Sequence, residues 1–327
     1  MLNAAIVGMG RWGQTLVESV QDRPEAGIRF VAGSTGTPDK ARAWAEARGI
    51  RIHDSYAAVL ADPAVQAVVL ATPHGMHAEQ VIAAAAAGKP VFVEKPFTLS
   101  KASAEAAVAA CREAGLVLAL GHNRRFLPAV AELKAMLADG RIGTLLHVEG
   151  HFSGTGALSY KPGMWRADRH ESPLGGMGGM GIHMIDMMLN LAGPIAEVSV
   201  ISAARVLTNG LDDTTAMMCR FASGATGGFA TLAAAPRAWR IALYGSAGWA
   251  ELVDHERLTY RPLQGEDVVR QFPKTDIEAA ELTAFAAAVA GGPAYPLPVE
   301  QAIHGVAVFE SMIAAAASGG PVAVPQG

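Results

Sequence analysis

The run Ala4-Ala5-Ile6-Val7 leads directly into Gly8-Met9-Gly10-Arg11-Trp12-Gly13, a GxGxxG spacing. Each glycine answers a separate steric need. Gly8 permits a tight turn, Gly10 lets backbone approach a pyrophosphate, and Gly13 allows a helix to pack closely on its strand. The helix that follows offers unpaired N–H groups and the positive end of its dipole to phosphate. Gly8, Gly10, Arg11, Trp12 and Gly13 are therefore candidate cofactor-binding residues. The chemistry expected of them is dinucleotide binding.

A carboxylate at the end of the second strand would hold the adenosine ribose hydroxyls and favour NAD. Here the stretch reads Phe30-Val31-Ala32-Gly33-Ser34-Thr35-Gly36-Thr37-Pro38-Asp39-Lys40, with Ser34 and Thr35 where the acid would stand. Small hydroxyls leave room for a 2′-phosphate, and Arg11, Lys40 or Arg42 can supply positive charge. The expectation is NADP or NAD, with NADP favoured.

These residues need elements to position them. Apolar runs at 4–7, 28–32, 67–71, 90–93 and 116–120 alternate with helix-period segments at 10–20, 38–47, 76–87 and 100–114. That alternation predicts βαβ units and a parallel sheet buried on both faces. After residue 121 the pattern changes. Strands are expected at 144–152, 197–205, 214–221, 226–233, 238–244 and 248–253, with helices at 127–138, 181–191, 277–289 and 299–317. Turn residues between the strands favour antiparallel pairing. The predicted fold class is α/β, with domains at 1–121 and 122–327, the second α+β with a mainly antiparallel sheet.

Composition excludes several classes. The 327 residues are 51% hydrophobic and 17% charged with a formal net charge of −4. Disorder requires the opposite balance, and nucleic-acid binding a basic footprint. The longest uncharged stretches, 221–236 and 311–327, carry Gly, Pro or Ser and fall short of the ~20 apolar residues of a membrane span. Cys111 and Cys219 lack CxxC partners and read as buried thiols. With the opening MLNAAIVGMG lacking a basic region, they set the expectation of a reducing, cytoplasmic compartment. His147 and His151 lie on an expected strand, roughly 13 Å apart at ~3.3 Å per residue. His74 and His77 sit in a strand-to-helix turn that a cofactor should occupy. No metal site is expected, and no GxSxG or GxxxxGK[ST] motif is present.

Further motifs narrow the reading. Ala71-Thr72-Pro73-His74-Gly75-Met76-His77 follows the third apolar run, and Val91-Phe92-Val93-Glu94-Lys95-Pro96 forms the fourth. Later come Gly121-His122-Asn123-Arg124-Arg125-Phe126, Trp165-Arg166, Gly175-Gly176 and Gly181-Ile182-His183-Met184-Ile185-Asp186. With the glycine loop, this set resembles the glucose–fructose oxidoreductase/inositol dehydrogenase (Gfo/Idh/MocA) family over essentially the whole chain.

The resemblance implies an N-terminal Rossmann domain and a C-terminal substrate and oligomerisation domain, giving a homodimer or homotetramer. It implies hydride transfer between a nicotinamide and a hydroxyl-bearing carbon of a sugar, cyclitol or related polyol. Lys95 would lie beside nicotinamide and substrate, with His183 facing it, and Thr72, Pro73, His77, Glu94 and Asn123 would help hold the cofactor. Alcohol oxidation needs a base for the hydroxyl proton. A partly desolvated lysine near a cationic ring, or a histidine, suits that task. One position departs from the family pattern: Gly179 stands four residues before His183, where an acid is usual.

Asp186, one helical turn after His183, can face the same side, though an Asp there also fits the ordinary helix pattern. The segment 160–170 is polar, aromatic and loop-like and is expected to border the substrate, with Trp165 and the forked donors of Arg166 or Arg169 as contacts. Arg124 is placed with Asn123 near the nicotinamide. Two rival readings are a cofactor-binding sensor without turnover, motivated by Gly179, and a nicotinamide-assisted glycosidase.

Overall fold

The computed structural model describes residues 1–161 and 163–326; Pro162, inside the loop expected to border the substrate, and Gly327 lie outside the described residues. The chain divides into two units, the first formed by residues 1–98, 102–123 and 276–302, the second by 99–101, 124–275 and 303–327. This differs from a single cut after residue 121.

In the first unit, β1 (Leu2–Val7), α1 (Arg11–Val20), β2 (Ile28–Ser34), α2 (Pro38–Glu46), β3 (Arg51–Ile52), α3 (Tyr56–Ala61), β4 (Ala67–Leu70), α4 (His77–Ala86), β5 (Val91–Glu94), α5 (Lys101–Glu113) and β6 (Leu118–Gly121) follow one another. The strands form one parallel sheet in the order β3-β2-β1-β4-β5-β6. β4, β5 and β6 are buried at every residue, as uninterrupted apolar runs require. Strand order reverses between β1 and β4, the place where open α/β sheets bind ligands.

β2 runs on to Ser34, beyond the expected Ala32. Gly33 makes this possible, since a Cβ there would stand 2.2 Å from the Ile6 carbonyl oxygen. The short β3 and α3 were not anticipated; Ser55 caps α3 by accepting from the Ala58 N–H. Residues 276–302 join this unit because their helix carries an apolar face onto it. Leu282 and Phe285 are fully buried in the same core as Leu16 and Phe30, and Phe285 meets Phe92 edge to face at 5.9 Å.

The second unit contains α6 (Pro128–Ala138), β7 (Leu145–Ser153), α7 (Gly181–Ala192), β8 (Ile195–Ala203), β9 (Thr214–Phe221), β10 (Thr226–Leu232), β11 (Ala238–Gly245), β12 (Gly248–Val253), β13 (Arg257–Pro262) and β14 (Val268–Gln271). After α8 (Ile277–Val289) in the first unit come α9 (Val299–Ser318) and β15 (Val322–Ala323). The sheet order is β14-β13-β12-β11-β7-β10-β9-β8-β15. It is mainly antiparallel, with one parallel pair, β7 with β10, because β7 is inserted between β10 and β11.

β8 ends at Ala203 and does not reach Arg205, whose N–H turns to the Asp213 carboxylate at 2.8 Å. β13 and β14 were missed, and β14 is exposed throughout, so it carries no alternation. The methionine-rich α7 packs on a glycine strand position. A Cβ on Gly150 would stand 3.0 Å from Met184 Sδ, and Met184, Met187 and Met188 are fully buried.

Candidate active site

In the first unit, the β1–α1 turn has the geometry its glycines predict. Gly8 adopts φ +95°, and a Cβ there would lie 2.4 Å from the Ala71 oxygen. A Cβ on Gly13 would lie 2.0 Å from the Gly8 oxygen, so only hydrogen lets α1 sit this close to β1. Gly10 is different: nothing of the protein lies within 4 Å of its virtual Cβ. It is the N-cap of α1 and makes no side-chain cap bond, leaving the first-turn N–H groups directed at open space. That cradle fits a pyrophosphate. Arg11 is exposed and Trp12 half-buried in the same turn.

Ser34 closes β2, is buried, and accepts the Gly8 N–H at 2.9 Å through its carbonyl. Thr35 is half-buried beside it, and no carboxylate ends the strand. Arg42 pairs with Asp39 at 2.9 Å. Beyond β4, the Thr72 hydroxyl donates to Gln80 Oε1 at 2.5 Å, and Pro73 precedes the turn that starts α4. His77 is fully buried, with Nε2 3.0 Å from the Thr72 oxygen and Nδ1 2.9 Å from the Pro96 oxygen. It braces the loops after β4 and β5 against each other.

Glu94 and Lys95 end β5. A Cβ on Gly121, the register partner of Glu94, would lie 2.6 Å from Glu94 Oε1. Glycine at 121 thus makes room for this buried carboxyl. Burial pushes the Glu94 carboxyl up, opposed by the Lys95 ammonium, the Trp12 indole and the Lys95 N–H. Lys95 is half-buried. Asn123 is buried and donates through Nδ2 to Glu278 Oε1 on α8 at 3.0 Å.

In the second unit, Arg124 and His183 meet. Arg124 Nη1 is 2.9 Å from His183 Nε2 and its guanidinium lies 5.0 Å from the Phe152 ring centroid. Asp186 is held by Arg125: Nε donates to both carboxylate oxygens at 2.9 and 3.1 Å, and Nη2 reaches Oδ1 at 2.8 Å. Its carboxylate thus serves a buried ion pair. Trp165 is half-buried, with the exposed Arg166 guanidinium stacked 4.1 Å over its ring. Near Gly179 the first atom a Cβ would meet is the Gly176 oxygen at 4.0 Å, so space does not exclude a side chain there.

Sequence reasoning missed His255. It lies in the β12–β13 turn at φ +73°, after Asp254 at φ +49°, and its ring stands edge-on to Trp239 at 4.6 Å. Burial, then the charges of Arg124 and Arg237, push its imidazole down to about 4. Two consecutive non-glycine residues at positive φ leave no spacing motif, so nothing in the sequence marked the turn. Gln80 and Glu278 were missed too, each acting as a partner to a predicted residue. Among the described residues, no group of three His, Cys, Asp or Glu side chains is arranged to hold a metal ion.

Comparisons with known proteins cover both parts of the chain. Residues 2–122 match the family described as "Oxidoreductase family, NAD-binding Rossmann fold", and residues 130–251 match the "GFO/IDH/MocA C-terminal domain". The scyllo-inositol 2-dehydrogenase (NAD(+)) of Bacillus subtilis is 37% identical over 164 residues, covering 48% of this chain and 46% of that protein. The levoglucosan dehydrogenase of Pseudarthrobacter phenanthrenivorans is 31% identical over 193 residues, 52% of this chain and 50% of its own. The chain thus spans about half the length of the curated relatives it matches. A solved levoglucosan dehydrogenase in complex with NADH superposes with a TM-score of 0.89 at 24% identity, covering 99% of both chains, a likeness of fold.

Proposed function

The chain belongs to the Gfo/Idh/MocA oxidoreductase family, and from that premise we propose that it is an NAD(P)-dependent dehydrogenase of sugars, cyclitols or related polyols. One observation carries the reading: α1 begins uncapped over open space at Gly10, at the strand-order reversal beside β1, with Lys95 at the end of β5 in the same sheet. A bound nicotinamide dinucleotide supplies the hydride acceptor. The protein's own part is to cradle the pyrophosphate with Gly8, Gly10 and Gly13, with Thr72, Pro73, His77, Glu94 and Asn123 shaping the rest of that site. Lys95, half-buried at a strand end of the first unit, takes the substrate hydroxyl proton, and His183, fixed by Arg124, is the second unit's own candidate for proton transfer.

NADP is proposed as the better cofactor, because Ser34 and Thr35 add no negative charge and Arg11 and Lys40 stand exposed nearby in sequence. A pronounced preference for NAD in Michaelis constants would reverse that choice. A homodimer or homotetramer is proposed through the sheet face of the second unit, where Ile201 and Met218 are 76% and 56% exposed beside a cavity of about 520 Å³. The relatives' names point to levoglucosan and inositols as first substrates to try. No helix among the described residues is long and apolar enough to cross a membrane. Two buried free thiols suit the cytoplasm proposed for it.

The reading is tested by following nicotinamide absorbance with a panel of sugars, inositols and sugar acids and both cofactors. Turnover with at least one of them, falling by about 100-fold or more in Lys95→Ala, is expected. A cofactor that binds tightly yet is reduced by no member of the panel would overturn it.

A further inference from the structure

Two side chains near the start of α4 hold Thr72 at two points. His77 Nε2 lies 3.0 Å from the Thr72 carbonyl oxygen, and Gln80 Oε1 accepts the Thr72 hydroxyl at 2.5 Å. Positions 77 and 80 are three residues apart on one face of the helix, so a single element grips both the backbone and the side chain of Thr72. Gln80 is itself fixed. It is 6% exposed, and its backbone oxygen accepts the hydroxyl of Tyr56, the first residue of α3, at 2.7 Å. Thr72 stands against the glycine turn: a Cβ on Gly8 would lie 3.1 Å from the Thr72 nitrogen. All of these residues belong to the first unit.

The direction of the hydroxyl bond decides what Thr72 can recognise. A hydroxyl has one hydrogen and two lone pairs. Gln80 Oε1 takes the hydrogen, so toward any further group Thr72 Oγ1 presents lone pairs only. Donating also polarises the hydroxyl and makes it a better acceptor. The phosphates of a dinucleotide are negatively charged acceptors and gain nothing from such an oxygen; the N–H groups at the start of α1 serve them. What this oxygen suits is a donor, and the donors that flank a dinucleotide's pyrophosphate are ribose hydroxyls. Thr72 is half-buried beside the cradle, not sealed into the core.

We propose that Gln80 is a positioning residue for the cofactor: by taking the Thr72 hydroxyl hydrogen it makes Thr72 an acceptor for a ribose hydroxyl at the edge of the pyrophosphate cradle. This rests on the dinucleotide-binding reading above and names the part of the cofactor that Thr72 meets. Gln80 acts through Thr72 and touches no ligand itself.

The test is a fluorescence titration of the full chain with NADH and NADPH, followed by displacement with ADP and with inorganic pyrophosphate. Gln80→Met keeps an unbranched side chain and removes its acceptor, so the Thr72 hydroxyl turns its hydrogen elsewhere. Dinucleotide affinity should fall roughly fivefold or more, the worth of one hydrogen bond. Pyrophosphate, which has no ribose, should compete as well as it does in wild type. A parallel fall for ADP assigns the contact to the adenosine ribose, and a fall for the dinucleotide alone assigns it to the nicotinamide ribose. Thr72→Val should lose about as much as Gln80→Met, and Thr72→Ser should recover part of that loss. The double variant Thr72→Val with Gln80→Met should lose no more than either alone, because one contact is at stake. Thermal unfolding without ligand checks that each variant folds. Unchanged dinucleotide affinity in Gln80→Met, losses that add in the double variant, or an equal loss for pyrophosphate would each overturn the assignment. Any of these leaves the cofactor reading intact, whereas a wild type that binds neither dinucleotide overturns both.

Discussion

Arg124 Nη1 stands 2.9 Å from His183 Nε2. A guanidinium has donors and no acceptor, so this contact requires Nε2 to be the unprotonated nitrogen of a neutral imidazole. Arg124 thereby sets both the tautomer and the orientation of the ring, much as a carboxylate does elsewhere from the other nitrogen. His183→Ala should lower kcat by about 100-fold or more. Arg124→Ala should cost a smaller factor, with Arg124→Lys recovering part of it, because a lysine keeps one donor and the charge but loses the planar fork. Steady-state rates for the three variants check this; wild-type rates in all three would remove the pair from the chemistry.

Two glycines of the β1–α1 turn should respond in opposite ways. In Gly10→Ala the new methyl meets no protein atom within 4 Å, so the free protein should keep its stability to within about 0.5 kcal/mol while dinucleotide affinity falls. In Gly13→Ala the methyl would lie 2.0 Å from the Gly8 oxygen, and the backbone must move. A loss of about 1–3 kcal/mol is expected. Thermal unfolding without cofactor, beside a fluorescence titration with it, separates the two effects.

The Arg125–Asp186 pair is closed from solvent, its side chains 4% and 6% exposed. Removing one partner leaves the other charge buried, so Asp186→Ala should destabilise by about 3–5 kcal/mol. Denaturant midpoints measure it. A rise in KM with the midpoint unchanged would instead make Asp186 a substrate contact.

Asp213 gives the fold an acid-sensitive point. Burial alone would raise its carboxyl, but the N–H groups of Arg205, Val206 and Leu207 and the Thr214 hydroxyl bring it down to about 2. Its folded pKa thus lies below the unfolded value of about 3.9. The stabilisation is complete above about pH 4 and is lost as pH falls toward 2. Asp213→Ala should cost about 2–3 kcal/mol near neutrality and flatten the acid limb of stability. Urea midpoints between pH 7 and pH 3 would show wild type and variant converging; parallel curves would assign the acid limb to other carboxyls.

Much of the first unit was legible from residues because its determinants are local. Gly13, which must avoid the Gly8 carbonyl at 2.0 Å, is constrained by its own turn, and an uninterrupted apolar run declares a strand covered on both faces. The helix periods of α1, α2, α4 and α5 follow from the same local rule. Exposed β14 and the two-residue β3 obey no such pattern, and neither was foreseen.

By itself the sequence determined the alternating parallel sheet and the tight glycine turn at Gly8–Gly13, and its resemblance to a known family made Lys95 and His183 candidates. Only the tertiary structure decided what those residues meet. Arg124 reaches His183 across 59 residues of chain and Arg125 reaches Asp186 across 61. Phe152 pairs with Trp239 because β7 is inserted between β10 and β11, and α8 returns to the first core far from its other members in sequence. Periodicity reports which face of an element is buried. It carries no record of which distant side chain arrives there, because that is settled when the apolar surfaces close together and every buried charge must find its partner.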